Sequence, residues 1–467
     1  DVPQPLPNLD YKIMQGNSLL EQYKKHDLSH LMLPQKVENG RSSSLYESMI
    51  DIHRKEIRTA VKRYYSATTH DEKERLRQEI HDAIQAIFKG DVDGQSVDLS
   101  EVDLFANPNF FLWHTWFSEV FSRPTKEGFD IVIGNPPYGA KLSDEDKHTF
   151  KKTYRSAQTI KGKQKGSLDT YSLFIEQGYN LSHRNGICAF IVPMGITSSE
   201  AMTGLHHILL AGSENIEVSS YGDRPRRIFD SAEQQVSIIL FRKGRNDALT
   251  ISTTSINKRN ASQSIDAMIE KLSFTQIEIA HIRNGRIPKL GSDTEGQILR
   301  KMLSHTVTFG DFFLSEGAPV YYRKAGGRYY KVITITPTNS SAEGALIVPP
   351  AYQKTFAAIM SSSLFYWFWL THSDWHNLRL LEIAWFPLPH LSDEILSLAN
   401  RLYDEYQEDL LAKSQLTTTG LRCYYARKSK TFIDRIDDYI CPLYGLTKEE
   451  TEFIKNYEIE FRLGEES

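Results

Sequence analysis

Four short apolar runs constrain this fold more than any other feature. They occupy residues 129–134, 187–192, 216–219 and 236–241. Stretches of helical period separate the first three: 144–154 and 170–181, then 198–210. Continuous apolar strands alternating with helices predict a mostly parallel α/β sheet covered on both faces. No helix is legible between the last two runs. RKGRNDA, 242–248, is polar and basic and reads as a domain boundary.

Around this alternation the pattern changes character. Residues 45–65 form one helical stretch, with Ile52, Ile57, Val61 and Tyr65 near one face. Thr69 and Glu72 form a capping-box signature for a second helix, and Gly90 marks its end. Its apolar stripe is Leu76, Ile80, Ile84, Ile87 and Phe88, so the two helices predict a hairpin. KIMQGNSLL, 12–20, reads as a strand end and a turn. Residues 250–345 mix short strands with turns such as Ala325-Gly326-Gly327, 352–386 are aromatic-rich and mainly helical, and 392–412 and 428–460 return to helix. The chain has 467 residues and a formal net charge of −4, which excludes a global basic field. Any nucleic-acid contact must then come from local patches. Cys188, Cys423 and Cys441 suit neither a disulfide framework nor a metal site and fit a reducing cytoplasm. No window approaches the length of a membrane-spanning helix, 361–370 being the nearest.

The exit from the first run is unusual: FDIVIGNPPY, 129–138, ends in two prolines. Ligands of open parallel sheets sit outside the carboxyl ends of the strands. Pro136 and Pro137 fix their own φ, lack N–H groups and hold their predecessors extended. The result is a rigid arm that presents carbonyl oxygens, joined by the Asn135 side-chain oxygen. Two convergent acceptors suit an exocyclic amine, which brings two N–H donors. Accepting both hydrogens builds electron density on the nitrogen and readies it to attack an electrophile. Tyr138 would supply a flat face for a planar ring.

FDIVIGNPPY resembles motif IV of the S-adenosylmethionine-dependent amino-methyltransferases, above all the DNA adenine methyltransferases. GNSLL, 16–20, is similar to the preceding cofactor-side motif, whose matching residue Asn17, with Ser18 beside it, is implied to contact the cofactor's adenine. NGICAFIVP, 185–193, resembles the next core strand. RIFDSAEQQVSIILFRKG, 227–244, is similar to the late motif in which a Phe, here Phe229, stacks on a flipped target base. The motif order is the γ arrangement. FFLWHTWFSEVF, 110–121, MSSSLFYWFWL with the following WFPLP, 360–389, and LYGLTKEE, 443–450, look like the methylase and specificity parts of type IIG restriction–modification enzymes and related phage-defence methylases.

The resemblance implies the C-terminal part of a Rossmann-like methyltransferase sheet with a helical insertion near 45–90. A catalytic domain would span 1–245, incomplete at its N-terminus. A mixed α+β target-recognition domain would span 246–390 and a helical tail 391–467. The family's Gly-rich cofactor loop and ribose-binding acid are not found here, so an upstream segment or second chain is expected to supply them. S-adenosylmethionine is the implied cofactor, with no metal for methyl transfer, and double-stranded DNA the implied partner. Asn135, Pro136, Pro137 and Tyr138 would form the catalytic arm, with Asn135 also near the cofactor. Lys151, Lys152, Arg155, Lys161, Lys163 and Lys165, within the acid-free run 147–165, would track phosphates. Arg323, Lys324 and Arg328, interleaved with aromatics in YYRKAGGRYYK, would contact DNA. Arg224, Arg226 and Arg227 would hold the flipped nucleotide's backbone, while His114 reads as a packed residue. A protein or RNA amino-methyltransferase, or a non-catalytic recognition fragment, are the alternatives.

Overall fold

A computed structural model of the chain describes residues 13–23, 26–29, 45–89, 102–104, 107–229, 233–245, 247–260, 262–283, 285–327, 329–418 and 421–464. Gly90, Arg328 and the Phe88 side chain lie outside this set. The chain divides into two compact units, one of residues 1–132 with 173–188 and the other of 133–172 with 189–467.

The first unit is built on the expected hairpin, α1 (Leu45–Ser66) and α2 (His70–Lys89). The Thr69 hydroxyl accepts from the Glu72 amide at 3.4 Å and starts α2. Ile57, Val61 and Tyr64 of α1 pack with Leu76, Ile80, Ile84 and Ile87 of α2. Two expected positions of α1 are displaced. Ile52 is 54% exposed. Tyr64 takes the core place expected of Tyr65, because seven residues after Ile57 return within about 20° of the same face, and eight overshoot it. Much of the remaining core is aromatic. Trp113, Phe117 and Phe121 surround Phe129 with ring centroids at 5.9, 5.2 and 5.5 Å.

Phe129 opens β1 (Phe129–Gly134). After it come α3 (Asp144–Thr153), α4 (Thr170–Leu181), β2 (Ser182–Pro193), α5 (Thr203–Gly212), β3 (Ser213–Tyr221), β4 (Val236–Lys243), β5 (Thr250–Asn257) and β6 (Thr275–Gln276). The sheet of the second unit takes the ends of β1 and β2 and the four strands β3 to β6. Its order is β1-β2-β4-β3-β5-β6. It is a mixed sheet, which corrects the mostly parallel expectation. β3 and β4 are antiparallel, with Val218 opposite Ile239. β5 runs parallel to β3 and antiparallel to β6. No helix lies between β3 and β4 among the described residues, and the chain turns back instead of crossing over. β5 and β6 continue the sheet beyond residue 245. The expected helix at 198–210 is broken at Ser199, which is extended, and α5 begins only at Thr203.

One further expectation fails in β1. Ile131 and Ile133 are 61% and 79% exposed. β1 is the end strand of the sheet order, and beyond Phe129 this face of it lies open.

Beyond β6, α6 (Asp293–Leu303) precedes a three-stranded antiparallel sheet of β7 (Ala318–Arg323), β8 (Ile333–Thr334) and β9 (Glu343–Val348), ordered β8-β7-β9. α7 (Gln353–Ser361) and α8 (Ser363–His372) follow, then α9 (Asp393–Ala412), α10 (Lys430–Leu443) and α11 (Lys448–Asn456). α8, SLFYWFWLTH, is apolar all round and every residue is buried. A helix of that kind can only sit inside other elements. No helix among the described residues is long and apolar enough to cross a membrane.

A buried helix start must have its amides satisfied by the protein itself. Asp437 Oδ1 of α10 accepts from the Ser363 and Leu364 amides at 2.8 and 3.3 Å. Burial pushes the Asp437 carboxyl up to about 6, opposed by Ser363 and Arg462. Its Oδ2 has no partner among the described residues. A raised folded-state value means that this stabilisation is complete below the unfolded value, 3.8, and lost as pH rises through about 6. Asp437→Asn keeps the capping oxygen and removes the charge. Urea unfolding should show the variant more stable than wild type near neutral pH by about 1–3 kcal/mol, with the gap closing toward about pH 4.

Candidate functional site

The arm that leaves β1 is shaped by close approach. A Cβ on Gly134 would lie 2.5 Å from the Phe190 ring, so glycine alone lets the strand end pass that side chain. Asn135 and Pro137 are exposed, Pro136 is buried and Tyr138 is half-buried. The Tyr138 hydroxyl lies 3.1 Å from both Asn135 Oδ1 and the Ile191 main-chain oxygen of β2. Burial raises the Tyr138 pKa, so the hydroxyl keeps its proton and remains a donor at neutral pH. Thr170 Oγ1, at the first residue of α4, donates to the Pro137 carbonyl. That engages one acceptor of the arm. The Pro136 carbonyl has no protein donor among the described residues, and Asn135 Oδ1 keeps a second lone pair.

Tyr138 and Phe229 pack against the same apolar cluster, centred on Tyr221, Val236 and Met268. The two residues expected to sandwich a ring, 91 positions apart in sequence, are thus brought to one cluster. Beside Tyr138 lies a cavity of about 560 Å³, lined in part by Tyr171, Met194 and Gln235. Its charged lining is mainly acidic: Asp169, Asp223, Glu233 and Asp374 against Arg379. Arg379 pairs with Asp374 at 3.2 Å, and Arg227 with Glu233. Among the described residues, no group of three or more His, Cys, Asp or Glu is arranged to hold a metal ion.

Sequence reasoning missed the segment 373–379. Trp375 is fully buried at φ 55°, a conformation rare for a bulky residue. Ser373 Oγ accepts its amide, and Asp374 Oδ1 accepts the His376 amide. This turn brings Asp374, His376, Asn377 and Arg379 to the cavity. Only the bulky αL residue is unusual there, and φ cannot be read from residue types. Asp169 and Tyr171 flank Thr170 and could have been found as a polar start to α4.

Asn17 and Ser18, expected on the cofactor side, belong to the first unit. Asn17 Oδ1 accepts the Leu19 amide at 3.2 Å, and the Asn17 carbonyl accepts the Leu20 amide at 3.1 Å. Trp113 Nε1 donates to the Ser18 carbonyl at 3.0 Å. The GNSLL turn is therefore fastened to the aromatic stretch 110–121. His114 is a packed residue as expected, its Nδ1 lying 2.8 Å from Glu21 Oε2. Burial raises the Glu21 pKa, with His114 opposing.

The basic residues are exposed but not equivalent. Lys151 and Lys152 close α3, Arg155 opens the next short turn, and Lys161 and Lys163 occupy a turn around Gly162. Lys165 is engaged by Glu200 at 2.7 Å. Arg323 Nε donates to the Ala325 carbonyl, and the main chain of Lys324 bonds Ala342 and Leu378. Arg226 pairs by a backbone bridge with Arg259, while Arg224 lies 3.9 Å from Glu233.

Residues 41–229 match the family described as Eco57I restriction-modification methylase. The matched segment contains the arm at 135–138 and ends on Phe229; Asn17 and Ser18 precede it. A putative type II restriction enzyme and methyltransferase, RM.MjaORFECS2P of Methanocaldococcus jannaschii, is 24% identical over 40% of this chain and 18% of its own. The type II methyltransferase M.AccI of Acinetobacter calcoaceticus is 28% identical over 36% of this chain and 29% of its own. The chain thus spans less than a third of either relative. The type IIL restriction-modification enzyme MmeI, solved in complex with DNA, has a TM-score of 0.45 at 12% identity, covering 90% of this chain and 75% of that one. The type IIG restriction endonuclease BpuSI has a TM-score of 0.29 at 9% identity, covering 85% and 60%. The family match bears out the resemblance to restriction–modification methylases.

Thr170→Val removes the donor that fixes the Pro137 carbonyl. Urea unfolding should show global stability lower by only about 1 kcal/mol.

Proposed function

We propose that this chain transfers a methyl group to the exocyclic amine of an adenine flipped out of duplex DNA, as part of a restriction–modification or phage-defence enzyme. The observation that carries this reading is the acceptor pair of the arm. Asn135 Oδ1 has a lone pair beyond its contact with Tyr138, and the Pro136 carbonyl has no donor among the described residues. Together they suit the two N–H groups of an amine. A duplex base can reach such a pocket only outside the stack. Tyr138 and Phe229, on one cluster, suit the faces of the extruded base.

The charges support the same division. An acidic cavity disfavours phosphate and leaves a neutral base as the fitting occupant. Lys151, Lys152, Arg155, Lys161 and Lys163 are exposed and suit the backbone, as do Arg323 and Lys324 in the proposed recognition region 246–390. Lys165, engaged by Glu200, would contribute less.

S-adenosylmethionine, when bound, supplies an electrophilic methyl group. The GNSLL turn fits the adenosine end of this cofactor, because Asn17 Oδ1 retains a lone pair after accepting the Leu19 amide. Asn17 and Ser18 would hold that end, and an upstream segment or second chain would complete the cradle. The exposed Ile131 and Ile133 suit burial by such a segment. The arm's own work is to orient the amine and hold its N–H bonds, raising electron density on nitrogen. The amine loses one proton after it gains the methyl group.

Asn135→Ala should lower methyl transfer from labelled S-adenosylmethionine to duplex DNA by about 10²–10³-fold or more in the full-length protein, with DNA affinity little changed. Transfer at the wild-type rate would contradict the assignment.

A further inference from the structure

A second cavity, of about 480 Å³, lies in the same unit as the arm. It is lined by four arginines, Arg224, Arg323, Arg427 and Arg462, and by aromatic rings that include Tyr329 and Tyr424. No Asp or Glu lines it among the described residues. Arg323 and Arg427 are exposed. Arg462 is 2% exposed, and its Nε and Nη1 have no hydrogen-bond partner there. Its Nη2 donates to Ser363 Oγ, and Asp437 offsets part of its charge. The cavity therefore combines cations with flat apolar faces, the opposite of the acidic cavity beside Tyr138.

The two cavities share a thin wall. Asp223 lines the first and Arg224 the second. Asp374 and His376 line the first, while Trp375 between them packs edge-on against Tyr329 of the second, ring centroids 5.3 Å apart. A Cβ on Gly222 would lie 3.0 Å from the Trp375 ring, so this wall is tightly closed.

We propose that the arginine- and tyrosine-lined cavity binds a second unpaired nucleotide of the DNA, its base against the Tyr424 face and its phosphate on Arg323 and Arg427. Cations recognise phosphate. Aromatic faces recognise a base only when it is out of the duplex, because paired bases already cover each other's faces. When one nucleotide leaves the stack for the first cavity, a neighbour or the orphaned partner loses its contacts and becomes available to the second. Residues 424–427 and 461–464, from the helical tail, thereby join the nucleic-acid surface. The inference rests on the proposed function for the choice of DNA as ligand and for the extrusion of a nucleotide beside it.

The test compares a labelled duplex carrying one extrahelical nucleotide with the same duplex fully paired, by fluorescence anisotropy without methyl donor. It uses the Asn135→Ala protein, so that capture of an amine by the arm is not what is read. The unpaired nucleotide should tighten binding by about 10-fold. Tyr424→Leu and Arg427→Gln should abolish that preference, and Tyr424→Phe, which keeps the face, should retain it. Thermal midpoints close to the parent protein confirm folding; if Tyr424→Leu does not fold, Arg427→Gln and Tyr424→Phe decide. Equal affinity for the two duplexes, or a preference that survives Arg427→Gln, overturns the proposal. Because binding alone is read, absence of methyl transfer would retire the function proposed above and leave this cavity standing.

Discussion

The site's geometry depends on the hydroxyl of Tyr138. The two prolines before it donate nothing, so the arm cannot be held by a backbone ladder of its own. Tyr138 ties Asn135 to the main chain of β2, and its ring is seated in the cluster of Tyr221, Val236 and Met268. Thr170 fixes the next carbonyl from the start of α4. Two side-chain donors thus substitute for missing N–H groups and orient the arm's remaining acceptors. A looser arm would present the same atoms with their directions unspecified, and direction is what preorganised acceptors contribute.

Charge then separates the surroundings of the arm. Carboxylates gather beside Tyr138, and guanidiniums across the wall formed by 222–224 and 373–376. The wall is held by a residue in a costly conformation. Trp375 at φ 55° carries strain of about 1–3 kcal/mol. It persists because the ring is fully buried, with Lys258 Nζ 4.1 Å from its centroid and Tyr329 packed on its edge. Lys258 is itself paired with Glu458, although burial pulls its pKa down to about 8.

What was legible in the sequence was local. The hairpin of α1 and α2, the strand runs and FDIVIGNPPY each declare themselves within a few residues, by period or by the chemistry of proline. The meeting of Tyr138 with Phe229 was legible only through family resemblance. Strand direction was not legible, because it depends on how a connection packs. The missing helix between β3 and β4 was the one available sign. The exposure of Ile131 and Ile133 was hidden for a related reason: an apolar run states what it would bury against, not whether a cover is there. The segment 373–379 was invisible because its contribution comes from backbone torsion and from lining one cavity with Tyr138 and Asp169, more than 200 residues away in sequence.

The arm is proposed to orient the exocyclic amine of adenine in DNA for methylation. The most direct measurement is nucleoside analysis by mass spectrometry of duplex DNA incubated with the full-length protein and S-adenosylmethionine labelled in its methyl group. Label is expected in N6-methyladenine, and is expected to be absent when Asn135→Ala protein is used. Label confined to a cytosine derivative, or carried by RNA or protein instead of DNA, would contradict it.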